Sequence, residues 1–287
     1  MSSDILVRAG MPPTPTALRQ ALERDAFELY YLPMVASRNG CTSRVEALLR
    51  WPTSDGHCVA PLHFLPVAET HGLIGQLTRW VIDHALNDWV RWRARNLAIG
   101  VNVNISPLDL DDDNLCEHLK QRLRQLDAPR GALSLEVPYA GIIARGDSVR
   151  DVIDGVRQTG VTLVLDNYAC AYGPIALADM HPWKAIKLDR ANVMGMCRST
   201  ADELQVRATT ALAHQCGSEV IAQGAHSHRE WEAARAIGCD LVQGFYLSPP
   251  QSSANLVRWL QRSTWRPAEH RSYGAQSQLA RNQSRLA

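Results

Sequence analysis

VTLVLDNYACAYGP, residues 161–174, joins a strand pattern to a polar segment that opens with an acid and an amide. Its first half runs apolar through Leu163, Val164 and Leu165, which is typical of a buried β-strand, and it places Asp166 where that strand is expected to end. A carboxylate at the end of a buried strand is a candidate functional group. The next residue, Asn167, opens a predicted loop, so an amide and not a second acid stands beside Asp166.

Segments with strand and helix patterns alternate on both sides of this stretch. The predicted strands cover residues 27–35, 44–51, 98–105, 132–137, 161–166, 185–189, 219–224 and 240–245. Helical patterns lie between most of them, for example at residues 72–95, 115–126, 149–158, 203–216 and 229–236. Such alternation predicts an α/β fold with a parallel sheet, and eight strands in one domain favour a closed TIM-like (β/α)8 barrel. Pro33 predicts an edge or terminal position for the first strand.

The composition predicts one cytoplasmic domain with flexible ends. The chain has 287 residues, is 46% hydrophobic and carries 30 Lys and Arg against 29 Asp and Glu. A balanced charge argues against nucleic acid and anionic membranes as partners. Seven scattered Cys without a CxxC pair argue for reduced thiols and against structural zinc. We expect a flexible leader at residues 1–14, the barrel at 15–263 and a basic, disordered tail at 264–287.

One mouth of such a barrel is expected to collect polar side chains. The carboxyl ends of the strands meet there, and they supply Glu46, Asn104, Glu136, Asp166, Lys187, Gln223 and Gln243. Carboxylate and amide oxygens suit Mg²⁺, Mn²⁺ or Ca²⁺ and not zinc, while a nearby Lys suits a phosphate oxygen or a water molecule. The pattern therefore favours a phosphate ester as ligand, and hydrolysis of such an ester usually needs two metal ions and a base.

The motifs around these residues resemble those of EAL domains, the bacterial phosphodiesterases that linearise cyclic di-GMP to pGpG. In the family's order they are Glu46-Ala47-Leu48 with Leu49-Arg50-Trp51, Val103-Asn104-Ile105-Ser106, Leu135-Glu136, Asp166, Lys187-Leu188-Asp189-Arg190 and Gln243-Gly244. The resemblance covers about residues 18–260. It implies a barrel whose first strand runs antiparallel to its neighbours.

The resemblance also implies roles for individual residues. It makes Glu46, Asn104, Glu136 and Asp166 the ligands of a first Mg²⁺ or Mn²⁺ ion and places Lys187 near the attacking water. It gives Arg50 the role of holding a phosphate of cyclic di-GMP. Further contacts with the nucleotide are implied for Leu48, Asn104, Asp189 and Gln243.

Several positions depart from the family pattern on the catalytic side. Asn167 stands where the family has the acid of the second metal site, and the two glycines of that loop are absent. Gln223 replaces the acid associated with activating water, and an amide cannot take up that proton. Pro138-Tyr139 and Leu32 replace polar family residues. Because amides bring no charge to a cation, we expect no efficient hydrolysis.

Three functions stay open at this point. The first is a catalytically silent receptor that binds cyclic di-GMP and signals to a protein partner, and the second is a protein-interaction module without nucleotide. The third is a weak Mg²⁺- or Mn²⁺-dependent phosphodiesterase that produces pGpG. Leu32 weighs against the first, the survival of Glu46, Asn104, Glu136, Asp166 and Lys187 against the second, and Gln223 against the third. We favour a non-catalytic regulatory protein of cyclic di-GMP signalling, and a homodimer is left open.

Simpler readings of single residues also stay open. Glu46 and Lys187 could form a purely structural ion pair. Asn102 and Asn104 alternate with valines, so one of them could serve only to satisfy backbone groups at a loop. Cys170 is interpreted as a small loop residue and not as a redox-sensitive thiol, and His226 as a surface residue at a helix start.

Overall fold

The computed structural model describes residues 13–53, 58–145, 149–172 and 183–261. The predicted tail and all of the predicted leader except Pro13 and Thr14 lie outside these residues. The described strands are β1 (Glu28–Ala36), β2 (Thr42–Pro52), β3 (Cys58–Val59), β4 (Gly100–Asn104), β5 (Leu133–Pro138), β6 (Thr162–Tyr168), β7 (Ala185–Leu188), β8 (Glu219–Gln223), β9 (Leu241–Gln243) and β10 (Gln251–Ser252). The described helices are α1 (Pro15–Glu23), α2 (Pro61–Thr70), α3 (Ile74–Arg93), α4 (Asp113–Gln125), α5 (Tyr139–Arg145), α6 (Val149–Gln158), α7 (Arg190–Gly195), α8 (Thr200–Gln215), α9 (His228–Ile237) and α10 (Ser253–Leu260).

Eight of these strands close into a barrel. The ring runs β1, β2, β4, β5, β6, β7, β8 and β9, and β9 returns to β1. β1 is antiparallel to both of its ring neighbours, whereas every other neighbouring pair is parallel. β3 and β10 extend β2 and β1 outside the ring. The predicted α/β barrel with an antiparallel first strand is therefore confirmed.

The helices form because local capping and apolar stripes agree. Thr14 caps α1 in front of Pro15, and Ser227 and Glu230 form a reciprocal capping box on α9. α3 packs on the outside of β4, β1 and β2, and Tyr31 of β1 lies edge-on against Trp92 with 4.7 Å between ring centroids. Among the helices of the described residues, none combines the length and apolar character that a membrane span needs.

The edge position that Pro33 predicted for β1 is wrong. Pro33 pairs with Val45 of β2, and on its other side β1 contacts two strands in succession. Tyr30 and Tyr31 pair with β10, and the segment that starts at Met34 pairs with β9. Pro33 falls between these two pairings, where a residue without an N–H group is tolerated in a strand that has partners on both sides.

β6 continues two residues beyond its predicted end. Asp166 and Asn167 therefore lie inside the strand and not at the start of a loop. Asn167 adopts a left-handed backbone conformation with φ of 54°, which asparagine tolerates better than most residues, and the register with β7 shifts between Leu165 and Tyr168. The Tyr168 ring is fully buried and packs against the Tyr139 ring, with 5.1 Å between the ring centroids. This aromatic packing stabilises the end of β6 beyond its register shift with β7.

Alternation along the strands separates the barrel interior from the helix-covered outside. Residues two apart on one strand face the same side, so the acids and amides of the predicted mouth share the interior with the residues below them. One half of this lower interior is apolar and contains Met34, Val164, Ala185, Ile221 and Leu241. The other half, formed by β2, β4 and β5, is polar.

Candidate active site

Lys187 lies at the centre of the candidate site. Its ammonium group is completely buried and donates to Glu46 Oε2 at 3.1 Å and to Glu136 Oε2 at 2.6 Å. Asp166 Oδ1 lies 3.5 Å from the same nitrogen. β2, β5, β6 and β7 thus bring one cation and three carboxylates together, and the ion pair between Glu46 and Lys187 that the sequence left open is present.

Glu46 is the most heavily hydrogen-bonded of the three acids. Asn104 Nδ2 donates to its Oε1 at 2.7 Å, and Gln243 Nε2 donates to its Oε2 at 2.7 Å, beside the bond from Lys187. Burial works to raise its pKa, but the Lys187 charge and the two amides together hold the pKa of Glu46 below its ordinary value. Glu46 is therefore the carboxylate that keeps its charge most firmly.

Glu136 and Asp166 behave in the opposite way. Burial, followed by the neighbouring charge of Glu46, raises the pKa of Glu136 to about 8, even though Lys187 opposes the shift. Burial also raises the pKa of Asp166, with the Lys187 charge working against it. On Lys187 burial alone would favour loss of the proton, but the three carboxylates raise its pKa above the ordinary value. The cluster holds a firmly protonated Lys among acids of unequal strength.

The two residues that replace family acids lie beside this cluster. Asn167 Nδ2 donates to Asp166 Oδ2 at 2.9 Å, so the amide is already used by its neighbour. Gln223 at the end of β8 pairs in register with Gln243, and its buried Oε1 has no hydrogen-bond partner among the described residues. Neither side chain can accept a proton from water at neutral pH, so neither Asn167 nor Gln223 can serve as a general base.

Residues implied to contact a ligand are divided between two places. Arg50 lies at the mouth end of β2, where its guanidinium covers the Tyr30 ring at 5.7 Å and donates to the Leu49 carbonyl oxygen at 2.8 Å. Leu48 pairs with Tyr30 across the strands. Asp189 instead caps α7, and its Oδ1 accepts from the Ala191 N–H at 2.6 Å. The first group lines the mouth, whereas the Asp189 carboxylate is engaged in a helix cap.

The donor atoms have the chemistry that a hard cation prefers, but the described side chains are not arranged to hold one. Glu46, Asn104, Glu136 and Asp166 offer the oxygen ligands that Mg²⁺ and Mn²⁺ prefer. As the side chains are arranged, however, Glu46 and Glu136 are occupied by Lys187 and by amides, and in the described part of the chain no group of three or more His, Cys, Asp or Glu has the arrangement of a metal site. The second position would rest on Asn167, which brings no charge.

Cys170 and His226 have roles in packing and lie outside the candidate site. Cys170 is buried, and burial raises the pKa of its thiol, which disfavours the reactive thiolate. The His226 ring is exposed and lies 5.5 Å from the Phe245 ring in an edge-on contact. Neither side chain takes part in the contacts of the Lys187 cluster.

Sequence reasoning missed Arg44 and underestimated Asn102. Asn102 Nδ2 donates to Glu136 Oε1 at 2.9 Å, and Arg44 Nη1 donates to Asn102 Oδ1 at 3.3 Å. The side-chain amide of Asn102 thus forms hydrogen bonds with two side chains and does not serve to satisfy backbone groups. The available signal was the period of two along a strand, because Arg44 stands two residues before Glu46 and Asn102 two before Asn104.

Comparison with known proteins gives a consistent result. A family model described as the EAL domain matches residues 16–250. The cyclic di-GMP phosphodiesterase PdeR of Escherichia coli K12 is 32% identical over 247 residues, which cover 86% of this chain and 37% of that protein. A cyclic di-GMP phosphodiesterase of Pseudomonas aeruginosa is 30% identical over 248 residues, 86% of this chain and 42% of its own. The chain spans only about two fifths of these relatives.

Solved structures show the same barrel. The PaMucR phosphodiesterase in its c-di-GMP complex superposes with a TM-score of 0.76 at 29% identity, with 84% of this chain and 98% of that one covered. The EAL domain of Xanthomonas citri FimX, in complex with c-diGMP, gives a TM-score of 0.76 at 22% identity over 83% of this chain and 92% of that one. The second likeness supports the fold alone.

Proposed function

Because this chain belongs to the EAL domain family, we propose that it is a degenerate member that binds cyclic di-GMP at the barrel mouth and does not hydrolyse it efficiently. The observation that carries this proposal is the asymmetry of the mouth. Glu46, Glu136 and Lys187 form one hydrogen-bonded cluster, whereas the two neighbouring positions where the family pattern has acids carry the amides of Asn167 and Gln223. Binding groups survive, and the groups that would activate water do not.

The retained side has the chemistry to hold a charged nucleotide. Arg50 is half-buried at the mouth and is the cation suited to a phosphate oxygen. A single Mg²⁺ or Mn²⁺ would be held by Glu46, Asn104, Glu136 and Asp166 and would polarise a phosphoryl oxygen when bound. Lys187 then keeps these acids neutralised in the absence of a cation. The protein's own residues bind and orient the ligand, and the amides of Asn167 and Gln223 remove no proton.

Signalling through a second macromolecule completes the proposal. A receptor that does not turn over its ligand must pass on the bound state through a contact, so we propose a protein partner, either another protein or a second copy of this chain. The seven cysteines are all free, which favours the cytoplasm as the site of action.

Titration calorimetry with cyclic di-GMP, with and without Mg²⁺, tests this proposal when the same samples are then assayed for pGpG. We expect saturable binding and no pGpG above the background of a protein-free sample. Robust pGpG release would establish the phosphodiesterase instead. The absence of any binding would leave the protein-interaction module as the function.

Replacing Arg50 with methionine is expected to weaken cyclic di-GMP binding by about 10- to 100-fold, because a charge-assisted bond to phosphate contributes about 1.5–3 kcal/mol. Arg93→Met is the matched control. Arg93 also covers an aromatic ring, that of Trp89 at 5.4 Å, but it lies on the outer helix α3. Equal affinities of the two variants in calorimetry would remove Arg50 from the binding site.

A further inference from the structure

The polar half of the lower barrel interior is unusual in its composition. Barrel interiors are normally filled by apolar, branched side chains. Here Asn102 and Ser134 are fully buried directly below the carboxylates, and Arg44 reaches them from the start of β2. Burying such groups costs free energy unless each of them is paired.

Every polar atom of the Asn102 side chain has a partner in this layer. Its Nδ2 donates to Glu136 Oε1 at 2.9 Å and lies 3.9 Å from Met34 Sδ, and its Oδ1 accepts from Arg44 Nη1 at 3.3 Å. Arg44 Nη1 also donates to Ser134 Oγ, which is 2.7 Å from Thr162 Oγ1. A continuous series of side-chain hydrogen bonds therefore connects the start of β2 to Glu136.

We propose that Asn102 is a positioning residue for Glu136 and that Arg44 fixes the orientation of its amide. A guanidinium has only donors, so the amide must turn its Oδ1 towards Arg44 and its Nδ2 towards Glu136. In that orientation Asn102 holds Glu136 Oε1, which leaves Glu136 Oε2 facing Lys187 at 2.6 Å. The geometry of the mouth is thus set from the layer below it.

An exchange of donor and acceptor tests this role. Asn102→Asp places an acceptor against Glu136, and Glu136→Gln places a donor against Lys187 or Asn102, so each single change leaves two like groups facing each other. In the double variant the new amide at position 136 can donate to the new carboxylate at position 102 while it accepts from Lys187, and Arg44 still donates to that carboxylate. We expect each single variant to melt about 10 °C lower than the parent and the double variant to regain at least half of that loss.

The control pairs Glu136→Gln with Ser218→Ala. Ser218 is buried and donates to the Trp183 carbonyl oxygen at 2.6 Å, and none of its described hydrogen bonds reaches Glu136. Two changes without a shared contact lower the melting temperature additively. Thermal melts of all variants need no ligand, so they test the inference independently of the proposed function.

Cyclic di-GMP affinity supplies a second measurement, which rests on the proposed function. We expect Asn102→Asp to weaken binding by about 10-fold or more and the double variant to recover most of this loss. A parent protein that binds no nucleotide would contradict the proposed function and leave the thermal result standing. A double variant that is no more stable than the weaker single variant, or that fails to fold, would overturn the positioning role.

Discussion

Lys187→Met is expected to lower the free energy of unfolding by about 3–5 kcal/mol at pH 8, because removing one partner of a buried ion pair leaves the others uncompensated. Glu46, Glu136 and Asp166 would then share a buried space without their cation. Chemical denaturation monitored by circular dichroism measures the change. The matched control is Lys184→Met, because Lys184 pairs with Glu219 at an exposed position where such a bond contributes at most about 1 kcal/mol.

The size of this loss should depend on pH in a defined direction. A carboxyl whose pKa is raised in the folded state stabilises the protein at low pH. This contribution is lost as the pH rises from the pKa of the unfolded state through the pKa of the folded state. The pKa of Glu136 is already raised in this way, to about 8 in the folded state. Loss of Lys187 would also raise the pKa of Glu46 above its unfolded value. Lys187→Met should therefore be closest to the parent in stability near pH 5 and furthest from it near pH 8. An equal loss at both values would show that the ammonium is not what neutralises the acids.

Asn167→Asp combined with Gln223→Glu is expected to form pGpG at about 100 times the protein-free background, because a positioned general base contributes at least about 100-fold. The rate should still remain below that of an EAL phosphodiesterase such as PdeR, because the altered loop and Leu32 are unchanged. Aspartate suits the left-handed backbone at position 167 as well as asparagine does. Product chromatography measures the rate.

A second readout of this double variant is its dependence on Mg²⁺. The new carboxylate at position 167 would face Asp166 without the present amide bond of 2.9 Å, so the variant should melt lower than the parent in chelator and gain more from Mg²⁺. The matched control is Asn255→Asp combined with Gln125→Glu, which adds the same two charges on outer helices. The side-chain oxygens of Asn255 and Gln125 already accept hydrogen bonds from arginines. No change in rate or Mg²⁺ response would remove Asn167 and Gln223 from the catalytic side, and full activity would show that the loop does not matter.

The alternation of apolar and polar residues made much of the candidate site predictable. Glu46, Glu136 and Asp166 stood out as acids inside apolar strands, and Lys187 as the one cation among them. Arg44 was missed because it reads as an ordinary charged residue at a strand start. Its hydrogen-bond partners Asn102 and Ser134 lie on β4 and β5, 58 and 90 positions further along the chain. Contacts of this kind are invisible in a single strand.

Hydrophobic periodicity predicted most of the elements and the side of each strand that carries the acids, because it is a local property, and the number of strands favoured a closed barrel. Which of those groups touch became known only from the folded chain. Lys187 meets Glu46 across 141 positions of the chain, and Gln243 meets it across 197. Such contacts depend on the register between strands that are remote in sequence, as does the shift in β6 that keeps Asp166 and Asn167 within the strand.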